Sequence, residues 1–407
     1  MPGHILMSGN NLKIARRAIQ DRASIVLFIA INSILIINCS NPDKLNKPEN
    51  NISTTDTIIK KVDSITVNDF ANKEMKKAGV PGMSIAVVRR GSIIFKNCYG
   101  LANLELSIPV TPESPFKIAS LTKPFTATAI MQLVEKDEIS LDQKISFYLE
   151  DLPEAWNSIS VRQLLCHSSG LSDYFQAPDW SWRNSWRLDL THEEFIRMIR
   201  KSPMLFKPGE KIQYCNAGYY LLGMLIEKVS GKRYEEYLNE HIFKPLEMSN
   251  SRLDHAQLII PNRVSGYTWE RGEWRNAEFT SDTWAYSEGG IVTTAEDLAK
   301  FDSSFYTEKL LKKASLEQMW SHSKLSNGNE GIIGDNGAGK PNYYGLGWFI
   351  SDYKNHKLIL AGGNKPGYTC TFFRFTEDDL TIIILSNLSS APLYGIAGEI
   401  AEMYLAK

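Results

Sequence analysis

The sequence predicts an α+β fold, in which an antiparallel sheet is assembled from both ends of the chain and a mostly helical lobe is inserted through the middle. Three observations predict it. Strand-like segments cluster near residues 83–98 and again near 345–385. Helical periodicity dominates the interval between them. No internal repeat of the kind that builds solenoids or propellers is present. With 407 residues, 43% apolar and 22% charged, the chain has an ordinary globular composition and ample material for a large core.

The first 39 residues stand apart. Lys13, Arg16, Arg17 and Arg22 precede an uncharged apolar run at 23–37, shorter than the ~20 residues of a bilayer span. This is the pattern of a secretion signal. Ile36-Ile37-Asn38-Cys39 resembles the box at which bacterial lipoproteins are cleaved and lipidated, with Asn38 where a small residue is usual. Cys39 is then the expected lipidation site, the alternatives being an uncleaved anchor or ordinary cleavage nearby. Residues 40–61 are polar, lack apolar periodicity and read as a linker. Residues 62–407 are left as the folded domain, expected at the bacterial cell envelope on the periplasmic or surface face and held to the membrane by the N-terminal lipid or anchor.

Within that domain, residues 62–78 form a short amphipathic stretch. Segments 83–89 and 92–98 alternate as strands, and Arg90-Gly91 between them signals a tight hairpin. Helices are expected at 219–229, 234–241 and 295–305, strands at 345–352, 357–360, 369–375 and 380–385, and a closing helix at 393–405. The Gly-rich stretch 327–341 lacks the GK[ST] ending of a phosphate cradle and reads as a mobile surface loop.

Composition excludes several function classes. A formal net charge of −1 offers no footprint for nucleic acid. Besides Cys39, Cys98, Cys166, Cys215 and Cys370 are far apart, and the seven histidines are scattered. No ligand set for a metal is visible, and neither metal nor cofactor is expected.

One stretch points to chemistry. In residues 117–134 (KIASLTKPFTATAIMQLV) apolar periodicity begins close behind Pro124, which a helix tolerates only in its first turn. A helix starting at about Ser120 places that hydroxyl at the positive helix end and Lys123 one turn along the same face. The pair offers a nucleophile and an amine able to take its proton if burial lowers the lysine pKa. By itself the spacing also suits a plain helix cap. Tyr214-Cys215-Asn216, before the helix at 219–229, adds a phenol able to relay protons and an amide able to hold both Lys123 and a substrate carbonyl.

Together these motifs resemble the serine β-lactamase and penicillin-binding-protein superfamily, in its class C-like branch with D-alanyl-D-alanine carboxypeptidases and esterases. The branch uses S-x-x-K and Y-x-N in this order, and LLCHSSGLSDY (164–174), PGEKIQYCNAGYYLLG (208–223), PLEM (245–248), EGGIVTTAEDL (288–298) and YGLGW (344–348) fit it as well. The resemblance covers residues 62–407. It implies that Ser120 is acylated, that Lys123 and Tyr214 share the proton work, and that Asn216 orients substrate.

The third motif of that superfamily, K-T-G or H-x-G, departs here. In ILAGGNKPGY (359–368), aligning Gly363 and Gly367 with the expected glycines puts Ala361 where a basic residue belongs. The other register, Lys365-Pro366-Gly367, places a proline inside a pairing strand. In the first register Gly363 allows close backbone approach, and the N–H of Asn364 joins that of Ser120 in an oxyanion hole. Hydrolysis is expected to survive the loss, with weak activity on carboxylate-bearing β-lactams. His167 reads as a tie between a loop and a helix start. Ser84, in a G-x-S-x-A imitation of a nucleophile elbow, has no following helix. Trp180, Trp182 and Trp186, with Tyr174 and Phe175, read as packing or as the wall of an apolar acyl site. The expectation is an exported serine hydrolase acting on a small-molecule or peptidoglycan-derived amide or ester. The alternative is a catalytically silent binding or assembly protein.

Overall fold

The computed structural model describes residues 64–181, 185–337 and 339–405; the expected signal segment with Cys39, the expected linker and Trp182 lie outside them. Asp335–Lys340 stands outside the main unit and carries a bond from the Asn336 N–H to the Lys340 carbonyl at 2.9 Å. The main unit holds the other described residues, up to Gly334 and from Pro341 onward.

The hairpin signal folds as expected. Strands β1 (Gly82–Arg89) and β2 (Ser92–Asn103) pair, and Arg90 (φ 49°) and Gly91 (φ 72°) both turn left-handed, the backbone that matches strand twist in a two-residue turn. The remaining strands are β3 (Ile108–Pro109), β4 (Phe116–Lys117), β5 (Arg252–Leu253), β6 (Tyr267–Glu270), β7 (Glu273–Asn276), β8 (Ile291–Thr293), β9 (Ile332–Asp335), β10 (Pro341–Tyr344), β11 (Phe349–Tyr353), β12 (His356–Lys365), β13 (Tyr368–Phe375) and β14 (Leu380–Ser386). The main sheet runs β3-β2-β1-β14-β13-β12-β11-β10-β9. Strand β1, from one end of the domain, pairs antiparallel with β14 from the other.

Strands β13 and β14 are buried along their whole length, the pattern of strands covered on both faces. On one face Ile382, Ile384, Phe373 and Val87 meet Val67 and Ala71 of the helix Ser64–Ala78 and Ile396, Ala397 and Ile400 of the helix Leu393–Tyr404. On the other, Ala86, Val88, Phe372, Ile383 and Leu385 join the larger core of the helical lobe, which contains Phe125, Ile130 and Leu222.

Four expectations need correction. The middle of the chain is not free of strands: β4, β8 and β5 form a three-stranded sheet and β6 and β7 a hairpin, and strands of two to four residues are too short to show alternation. The expected strand at 345–352 is split, because Gly345 to Trp348 forms a turn closed by the Gly345 N–H on the Trp348 carbonyl at 2.9 Å. Strand β12 runs well past residue 360, through Gly362 and Gly363, where pairing with β13 overrides the weak strand preference of glycine. The Gly-rich loop contains β9.

Candidate active site

The helix behind Ser120 starts later than the sequence suggests. Ala119–Thr122 is a 3-10 turn, and the α-helix is Lys123–Glu135 with Pro124 as its second residue. Ser120 therefore stands in the turn ahead of the helix, and no side chain caps either element. Ala119 is held at φ 45°, an uncommon backbone for a residue with a Cβ. The turn presents a half-buried Ser120 beside Lys123, whose side chain is only 1% exposed.

Lys123 Nζ has four acceptors: Ser120 Oγ at 3.0 Å, Asn216 Oδ1 at 2.9 Å, and both the backbone carbonyl and carboxylate Oε2 of Glu288 at 2.9 Å. An ammonium has three protons, so at least one is shared. Burial works against its charge, but Glu288 and then Tyr214 outweigh that and hold Lys123 above the ordinary lysine value. The condition under which the sequence made Lys123 a base, a pKa lowered by burial, is thus not met in the resting site: the amine is held as a cation.

Tyr214 lies over this ammonium, its ring centroid 4.9 Å from Nζ. Burial raises the phenol pKa and Lys123 works against it, leaving it above the usual tyrosine value. His167 packs on the Tyr214 ring at 4.2 Å and accepts the Cys215 N–H on Nδ1 at 3.2 Å, so it does tie the loop to the helix start. Burial and the Lys123 charge push its pKa well down, and it is neutral.

Asn216 opens the helix Asn216–Ser230; its side chain accepts from Lys123 and its N–H donates to Asp173 Oδ2 at 2.7 Å. Gly223 of this helix lets it press against the short turn Tyr286–Gly289, since a Cβ there would stand 2.2 Å from Ser287 Oγ. That close approach brings Glu288 into the site.

Strand β12 closes the other side. A Cβ on Gly363 would lie 2.0 Å from the Ile118 carbonyl oxygen and 2.9 Å from Ser120 N. Gly363 therefore faces the turn that carries Ser120, Asn364 next to it is exposed, and Ala361 is buried in the core with no basic group. Lys365 instead forms a buried ion pair with Asp282, which also binds Lys117 at 2.5 Å. Gly367 (φ 87°) turns the chain from β12 into β13, so the alternative register does not face Ser120.

The structure thus brings Ser120, Lys123, Tyr214, Asn216 and Gly363 together. Sequence reasoning missed Glu288 and Asp173 and read Tyr174 only as packing or pocket wall, although all three stand in phrases that fit the superfamily. Tyr174 donates to Glu288 Oε1 at 2.8 Å, and burial raises the Asp173 pKa to about 7. An acid among glycines in an otherwise apolar run, such as Glu288-Gly-Gly-Ile-Val, is the signal that was available. Tyr174, Phe175, Trp180, Trp186 and Trp284 form one aromatic cluster, with Trp284 buried and Trp180 and Trp186 half-buried. Ser84 lies in β1 with its hydroxyl 3.6 Å from Cys98 Sγ, without a base.

A family model described as Beta-lactamase matches residues 67–402. The chain belongs to the beta-lactamase family. It is 28% identical over 323 residues to penicillin-binding protein 4* of Bacillus subtilis, covering 75% of this chain and 67% of that one. It is 26% identical over 328 residues to protein flp of Staphylococcus aureus, covering 80% and 63%. The chain spans about two thirds of the length of these relatives. Among solved structures, an octameric penicillin-binding protein homologue from Pyrococcus abyssi superposes with a TM-score of 0.70 at 28% identity, over 84% of this chain and 77% of that one. The D-amino acid amidase of Ochrobactrum anthropi, complexed with D-phenylalanine, does so at 0.70 and 25%, over 83% and 98%. This is a beta-lactamase-related family of serine hydrolases, and the mixed fold with its large antiparallel sheet is the beta-lactamase/transpeptidase fold.

Proposed function

We propose that the protein hydrolyses a small amide or ester, of the D-amino-acid or D-alanyl-peptide kind, through an acyl-enzyme on Ser120. The observation that carries this reading is the placement of the Lys123 ammonium 3.0 Å from the Ser120 hydroxyl and 4.9 Å from the centre of the Tyr214 ring. Ser120 Oγ attacks the carbonyl carbon, and its proton passes into the Lys123/Tyr214 pair. The oxyanion is received by the N–H groups of Ser120 and Asn364, which Gly363 allows to lie side by side. The pair returns the proton to the leaving group, and a water then releases the acyl chain from Ser120. Asn216, beside Lys123, orients the substrate carbonyl. The substrate class is supported by the likeness to a D-amino acid amidase and to penicillin-binding proteins. Export, with a lipid on Cys39, belongs to the same proposal; palmitate labelling that is equal in wild type and Cys39→Ala would remove it.

The enzyme reading is tested with a fluorophosphonate and a fluorescent penicillin, followed by peptide mapping. Label on Ser120 that disappears in Ser120→Ala is expected. Absence of label with every acylating probe would instead favour a silent binding protein. Because Ala361 supplies no cation, nitrocefin should turn over far more slowly than in dedicated β-lactamases, and comparable turnover would contradict the role given to that position.

A further inference from the structure

The carboxylate of Glu288 is more than Lys123 needs for hydrogen bonding. Ser120 Oγ, Asn216 Oδ1 and the Glu288 backbone carbonyl, at 2.9–3.0 Å, already accept all three ammonium protons. A fourth acceptor carrying a full charge does something else. It gives the buried ammonium, whose side chain is 1% exposed, a place to put a proton without solvent. Moving that proton turns a buried ion pair into a neutral pair, a form that burial favours.

We infer that Glu288 is a positioning residue that acts through Lys123 by holding its proton. The inference rests on the proposed role of Ser120 as nucleophile. An Nζ–H bond of Lys123 breaks and an O–H bond forms on Glu288 Oε2, leaving a lone pair on a neutral amine beside Ser120 Oγ. As Oγ bonds to the carbonyl carbon, its proton moves to that lone pair. When the leaving group departs, it takes the proton from Lys123, and Glu288 can return its own. Tyr174, donating to Oε1 at 2.8 Å, steadies the carboxylate form and so sets how readily the proton crosses. Among the described residues the other titratable groups facing the pair are Tyr214, Tyr219, Cys215, Asp173 and the neutral His167.

The resting pair and the reactive pair hold the same number of protons, so this arrangement makes acylation independent of pH around neutrality. The test is the pH profile, from 5 to 10, of Ser120 labelling by a fluorophosphonate probe and of kcat/KM on a p-nitrophenyl ester. Glu288→Gln cannot take the proton, so Lys123 must lose it to solvent, and because the carboxylate that held Lys123 cationic against burial is gone, that loss moves to lower pH. The variant should gain a limb absent from wild type, along which the rate rises about tenfold per pH unit before levelling. Asp173→Asn is run alongside, because Asp173 titrates at about 7 in the same site. A Glu288→Gln rate reduced by the same factor at every pH would overturn the inference. If Glu288→Gln does not fold, Tyr174→Phe carries the test. Loss of its hydrogen bond favours the protonated carboxyl and should raise the neutral plateau several-fold, whereas a plateau lowered at every pH would again overturn the inference. Wild type that takes no label at Ser120 would remove the proposed function itself, a different result from parallel profiles.

Discussion

Gly363→Ala isolates the contact between the third-motif strand and the turn that carries Ser120. The added Cβ would lie 2.0 Å from the Ile118 carbonyl oxygen, 2.9 Å from Ser120 N and 3.0 Å from the Ala119 Cβ. All three neighbours belong to the turn that presents Ser120, and two of them are backbone atoms that no rotamer change can move. Ordinary contacts begin at about 3.4 Å, so β12 and the turn must part by more than an ångström. A misplacement of that size costs on the order of 10²-fold in rate, and loss of one oxyanion donor about 10²–10³-fold. The overpacking itself should cost about 1–3 kcal/mol of stability, which leaves the sheet folded. The assay is hydrolysis of a p-nitrophenyl ester with a urea melt of the same preparation. The expected result is a kcat lowered by roughly 10²–10³-fold with little change in KM. A folded variant within threefold of wild-type kcat would refute the placement of the oxyanion hole at Gly363 and Asn364.

Tyr214→Phe should slow acylation of Ser120 by about 10²–10⁴-fold, read as probe-labelling rate, while circular dichroism stays that of wild type. Asp302→Ala should destabilise the protein by about 3–5 kcal/mol in urea melts, since it strands Arg374, whose Nη1 lies 2.5 Å from Asp302 Oδ1 in the core. Asp173 should make stability fall as pH rises: its carboxyl, raised by burial to about 7 in the folded chain, titrates at about 3.9 when unfolded. Its protonated form is therefore fully compatible with the fold below about 4, and the cost of ionising it grows from there to about 7. Asp173→Asn keeps an acceptor for the Asn216 N–H and should flatten that part of the melting-temperature profile.

Much of the fold was legible because its signals are local. Arg90-Gly91 marks its hairpin in two residues, and the serine, lysine and proline at 120, 123 and 124 sit within one turn. Tyr214 and Asn216 were legible as a second short phrase. Glu288 was not, because its meaning depends on the short turn Tyr286–Gly289 being pressed against two helices from earlier in the chain, a contact made possible by Gly223. Strand β12 was cut short for a related reason: Gly362 and Gly363 have little strand preference of their own, and Cys370 and Thr371 across the ladder supply it. The direction of the Lys123 pKa was also out of reach, since it is a contest between burial and a carboxylate that sequence does not place nearby.

The pairing of β1 with β14 has a bearing on how the molecule is made. A ribosome delivers Met83 long before its partner Ser386, and the hydroxyl at 120 long before Gly363 of the strand that flanks it. Nascent chains must wait, with the apolar ribbon Ile85 to Val88 open to bulk water or to a chaperone. The central ladder can close only once β14 has been made.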